Sequence, residues 1–114
     1  MATPDLDLLQ GTLDVLVMKA LLFGPRHGYA VARWIRDTTD DSLQIEEGAL
    51  YTALHRLEKR GWVDSTWGMS ENNRKAKYYQ LNAAGRRHLD ARTRVWHQYV
   101  IAVSKVLSAK AETA

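Results

Sequence analysis

The chain has 114 residues, 46% apolar and 25% charged, with a formal net charge of +3 and no cysteine. That length makes one domain with room for an appended helix, and its core is modest enough that association adds useful burial. The lack of cysteine excludes a disulfide framework, a thiolate nucleophile and a thiolate metal site. The charge is uneven: residues 1–54 carry four cations against eight acids, and residues 55–94 carry ten against four. A basic excess gathered in one stretch is the footprint of a polyanion binder, with a solvated basic face as the plain alternative.

The opening stretch MATPDLDLLQG is acidic and lacks the basic segment and small-residue cleavage site of a secretory signal. The most apolar run, residues 13–23, is interrupted by Asp14 and Lys19. It is also much shorter than the roughly 20 residues of a membrane span. A cytoplasmic chain with no membrane association is expected.

Residues 8–23 read as a first helix, with Leu9, Leu13, Leu16 and Ala20 on one stripe and Val17 and Leu21 widening it. Gly24-Pro25 ends it. Residues 27–39 read as a second helix with Val31, Ala32 and Ile35 inward. In HGY, Gly28 is expected to let helices one and two approach, and Tyr29 to anchor their junction. The polar run 38–42 reads as loop. Residues 43–45 alternate apolar, polar, apolar, the pattern of a short strand added to a later hairpin.

A third helix starts near Glu47, whose charge suits a helix N-terminus, and ends at Lys59-Arg60-Gly61. Leu50, Ala53, Leu54 and Leu57 form its apolar stripe; Gly48, Tyr51, Thr52, His55, Arg56 and Lys59 fall on the other side. Residues 63–67 and 75–81 read as hairpin strands, with a basic, asparagine-rich tip between them. Asn82 offers an N-cap to a long last helix reaching about residue 109. On it Leu89, Trp96 and Val103 recur at seven residues, and Val100 and Leu107 widen the stripe. Nothing else in the chain is left to cover that face, so a second copy is the economical partner.

The fold class expected is mainly α with a small β-hairpin. It is a winged helix-turn-helix over residues 1–81, followed at 82–114 by a dimerisation helix and tail. A helix with one buried and one polar, donor-rich face suits the DNA major groove, and a basic hairpin tip beside it suits the backbone or minor groove. Candidate DNA contacts are Tyr51, Thr52, His55, Arg56 and Lys59 on the helix and Asn73, Arg74, Lys75 and Lys77 on the wing. For Tyr51 the alternative is a half-buried ring packed on helix two, with the DNA role favoured; Asn72 and Asn73 read equally as residues that only shape the turn. Candidate dimer residues are Leu89, Trp96, Val100, Val103 and Leu107.

From about residue 8 to 107 the sequence resembles the PadR family of transcriptional regulators, in its short form with one C-terminal helix. The resemblance rests on LLQGTLDVLVMKAL, HGYAVARWI, EEGALYTALHRLEKRGWV and SENNRKAKYYQLNAAG, in the family's order and spacing. Thr52 stands where proline is common in the family, and Asn82 where threonine is usual. The resemblance implies a dimeric repressor on a dyad-symmetric, double-stranded operator, released in many members by a small aromatic effector. Trp96 would then either stack on that effector in a cleft between subunits or fill the dimer core.

Two other classes compete. A winged helix used for protein–protein contact would present apolar anchors, but on the exposed face only Tyr51 qualifies. An enzyme or metal protein lacks a constellation: the four histidines show no ligand spacing with a carboxylate, and no phosphate loop or nucleophile–base pattern occurs. No metal or cofactor is expected.

Overall fold

The computed structural model describes residues 11–112. Its elements are α1 (Thr12–Leu22), β1 (Arg26–His27), α2 (Gly28–Thr38), α3 (Glu47–Lys59), β2 (Val63–Met69), β3 (Lys75–Leu81) and α4 (Ala83–Ser108). The start expected for the first helix, including Leu9, lies outside the described residues.

The sheet is antiparallel in the order β1-β3-β2. Its third strand is not the expected one. Residues 43–45 form no strand, although Leu43 and Ile45 pack against the core. The strand is Arg26–His27, opposite Tyr79 and Tyr78 of β3. Gly24-Pro25 ends α1, and the two residues that follow pair with β3 before α2 begins. Two residues of ladder have no periodicity to betray them.

The core joins Val17, Met18 and Leu21 of α1, Val31 and Ile35 of α2, Leu50, Leu54 and Leu57 of α3, and Val63, Tyr79 and Leu81 of the sheet. Leu89 of α4 is also in this core, at 5% exposure. It therefore belongs to its own protomer and not to the surface expected for a partner. Its heptad mates diverge because the first turns of α4 lie against the winged-helix body while the later turns run beyond it.

Two caps fix where α3 stops and α4 starts. Gly61, at φ +80°, places its N–H on the Glu58 carbonyl at 3.0 Å and that of Trp62 on the Leu57 carbonyl at 3.1 Å. This is the paired closure that only a left-handed residue completes, hence glycine. Asn82 accepts the Gly85 N–H at 2.9 Å and donates to the Gly61 carbonyl at 2.8 Å, so one side chain caps α4 and ties it to the end of α3. Trp62 stacks on His88 of α4 with centroids 3.6 Å apart. Burial, with Arg92 and Arg60 nearby, holds the His88 imidazole below its ordinary pKa.

Gly85 is where α4 meets this junction most closely. A Cβ there would lie 2.2 Å from the Trp62 carbonyl oxygen and 2.6 Å from Leu81 Cδ1. The carbonyl is backbone and cannot rotate away. Gly85→Ala is expected to cost about 1–3 kcal/mol and lower the melting temperature by roughly 5 °C or more. Gly48→Ala meets nothing within 4 Å inside α3 and should leave the melt unchanged or raise it. Equal melts for the two variants would contradict this packing.

Candidate nucleic-acid interface

The α3 helix and the β2–β3 wing enclose an open concavity of about 860 Å³, closed at its back by the start of α2. Of the residues expected to contact DNA, Tyr51, His55, Arg74, Lys75 and Lys77 line it. Thr52 and Lys59 are exposed on α3 outside it. The Thr52 hydroxyl donates to the Gly48 carbonyl at 2.9 Å.

Tyr51 is held by α2. A Cβ on Gly28 would fall 2.7 Å from the Tyr51 ring, so this glycine makes room for α3 and not, as expected, for α1. Tyr29 is 65% exposed and anchors no junction; it lines the concavity. Tyr51 therefore packs on α2 and still keeps an edge in the concavity.

The cations divide into two groups. Arg56 is bound to Asp14 of α1 through both ends of its fork, with Nε to Oδ2 at 3.0 Å. The hydrogen bond to Asp14 raises the Arg56 pKa further. Lys77 reaches Glu58 of α3 at 3.3 Å, and the Ser65 hydroxyl donates to the same carboxylate. The Ser65 bond, assisted by Lys77, lowers the Glu58 pKa. By contrast Lys59, Arg74 and Lys75 form no salt bridge among the described residues.

The wing tip is shaped by its own backbone. Ser70 N–H donates to the Arg74 carbonyl at 2.8 Å and Asn73 N–H to the Ser70 carbonyl at 2.9 Å. Asn73 sits at φ +59°, a left-handed position that asparagine tolerates. The turn-shaping reading of Asn73 thus matches its geometry.

Several residues of this face, the acidic Glu71 among them, were not singled out from sequence. Arg33 of α2 lines the concavity. Trp67 does so at 64% exposure, with Lys75 Nζ 5.1 Å from its ring centroid. Alternation carried the signal for Trp67. Val63 is core, so Ser65, Trp67 and Met69 follow on the same side of the strand, which is the α3 side.

A second cavity, of about 610 Å³, lies between α1 and α4. Val15 and Leu16 face Val95, Trp96 and Tyr99 across it, with Leu43 and Arg92 at its edge. Beyond it α4 exposes Val100 at 40%, Val106 at 74% and Leu107 at 80%.

The family model described as the transcriptional regulator PadR-like family matches residues 17–91. The chain belongs to the PadR-like family of transcriptional regulators. An uncharacterised protein of Lysinibacillus sphaericus is 31% identical to this PadR-like chain over 90 residues, covering 79% of this chain and 83% of that one. A transcriptional regulator from Clostridium thermocellum is similar in structure, with a TM-score of 0.77 and 29% identity over 84% of this chain and 90% of that one. A PadR family transcriptional regulator from Eggerthella lenta gives a TM-score of 0.75 and 32% identity, over 89% of this chain and 86% of that one. The fold is thus that of a PadR-like winged-helix regulator with a C-terminal helix, and membership implies regulation through DNA. No helix among the described residues is long and apolar enough to cross a membrane.

Proposed function

We propose that this PadR-like regulator is a cytoplasmic, dimeric repressor that binds double-stranded DNA at a dyad-symmetric operator. The observation that carries this is the concavity between α3 and the wing, lined by Arg74 and Lys75, neither of which forms a salt bridge among the described residues. In this reading His55 and the exposed edge of Tyr51 face base edges, and Thr52 and Lys59 meet phosphate along α3. Arg74 and Lys75 follow the neighbouring backbone, with Trp67 against the sugars beside them. Asn73 shapes the tip, and Lys77 acts from behind it.

The functional division runs at Asn82: residues 1–81 read DNA, and 82–114 join two copies. Trp96, Val100, Val103 and Leu107 bury against the second copy. Leu89 leaves this set because its own core already covers it. An electrophoretic shift assay tests the reading directly. A duplex recovered by the protein from a random-sequence pool should bind at least about 10³-fold more tightly than random duplex. Equal binding of both, or none, would remove it.

The cavity lined by Trp96 and Tyr99 supports a second element of the reading, a planar aromatic effector. In a variant whose only tryptophan is Trp96, planar phenolics or cationic dyes should quench its emission and weaken operator binding together. A ligand shifts the equilibrium only if it prefers the DNA-free form. If nothing quenches, or if Trp96→Ala dissociates the dimer, Trp96 is interface core and the cavity is no effector site.

A further inference from the structure

On α3, Arg56 and Glu58 are two residues apart, which at 3.6 residues per turn puts them on nearly opposite sides of the helix. Each is tied to a different element. Arg56 is bound to Asp14 on α1, 42 positions earlier in the chain, by a two-point fork. Glu58 receives Ser65 from β2 and Lys77 from β3. The helix is therefore gripped from both flanks, and the Asp14 grip is the only one of the two that reaches α1.

The chemistry of the Asp14 bond is directional. A guanidinium bound through Nε and Nη2 to both carboxylate oxygens is fixed in plane as well as in distance. The buried stripe of Leu50, Ala53, Leu54 and Leu57 seats α3 on the core, and this pair adds a directional restraint on the helix's rotation from its flank. A carboxylate at this place opposes the approach of a polyanion, so charge alone makes Asp14 unfavourable for DNA binding.

We infer that Asp14 is a positioning residue for DNA recognition: it holds Arg56 away from DNA and sets the rotation at which α3 presents Tyr51 and His55. This rests on α3 and the wing being the DNA-binding face. The two ideas fail differently, because the first fails in variants and the second in the unsubstituted protein.

The test compares the full-length protein with Asp14→Asn, Arg56→Ala and the double variant. Fluorescence anisotropy is followed on a duplex selected by the unsubstituted protein from a random pool, and on random duplex, across salt. Asp14→Asn should lower affinity for the selected duplex about tenfold, the loss of roughly one mismatched base pair, without lowering it on random duplex. Charge alone gives the opposite sign on both. Arg56→Ala should do the same with its salt slope unchanged, whereas a phosphate contact would reduce that slope by about 1 per subunit. The double variant should lose no more than either single one, because the pair acts as a unit.

Should Asp14→Asn fail to fold by circular dichroism, Arg56→Lys keeps the charge and loses the fork. It should lower selected affinity alone. Tighter binding by Asp14→Asn, a reduced slope for Arg56→Ala, additive losses, or an Arg56→Lys variant indistinguishable from the unsubstituted protein would each overturn the inference. An unsubstituted protein that recovers no preferred duplex removes the DNA reading and this inference with it.

Discussion

Placing aspartate at Val100 and Leu107 together is expected to give a folded monomer that no longer holds its operator. Both side chains are exposed in the protomer, at 40% and 80%, so the substitution removes no contact from the protomer's core. In the proposed dimer it places four like charges in the apolar surface between copies, where burying them unpaired is prohibitive. Joining two half-site readers raises affinity on the order of 10²–10⁴-fold, and that gain should be lost. Sedimentation and the shift assay read the two effects separately. A variant that still sediments as a dimer and still binds would take this face of α4 out of the interface. Leu89→Asp makes a useful contrast. At 5% exposure it should unfold the protomer instead of merely separating two copies.

Arg74→Ala combined with Lys75→Ala is expected to weaken binding to every sequence alike. The two cations are exposed, form no salt bridge among the described residues, and stand at the end of the tip and the start of β3, next to Ser70 and Asn73 backbone bonds that the substitutions leave intact. If both meet phosphate in each subunit of a dimer, the slope of log affinity against log salt should fall by about 3 to 4 units. Specificity, taken as the ratio of selected to random affinity, should hardly change. A selective loss on the selected duplex would instead make the wing a reader of sequence. Lys77→Ala should have a smaller effect on the slope, since its ammonium is already engaged by Glu58 at 3.3 Å.

Much of this architecture was legible because local chemistry agreed with the fold. Leu50, Ala53, Leu54 and Leu57 sit at helical spacing, and all four are buried. Gly61 and Asn82 are the residues that a helix end and a helix start demand, and each makes the expected bonds. Val100 and Leu107, read from sequence as part of an apolar stripe on α4, are exposed in the protomer.

The rest depended on contacts between distant residues. Arg56 read as a free cation because Asp14 lies 42 positions away, and nothing in the helix pattern records that pairing. Gly28 and Tyr51 likewise meet only once α2 and α3 are packed. Leu89 shares a heptad with Trp96, yet burial there depends on how far α4 runs along the body, which periodicity does not encode. The expected strand at residues 43–45 had suitable alternation, but a ladder needs a neighbour, and β1 already occupies that edge of β3.

The most direct measurement is the salt dependence of the unsubstituted protein on a duplex it has itself selected. If α3 and the wing form the DNA face, log affinity should fall linearly with log salt, by about 0.9 for each phosphate neutralised. Lys59, Arg74 and Lys75 from two subunits supply up to six such contacts, so a slope of about −5 is expected. A slope indistinguishable from zero would contradict the assignment of this face to DNA.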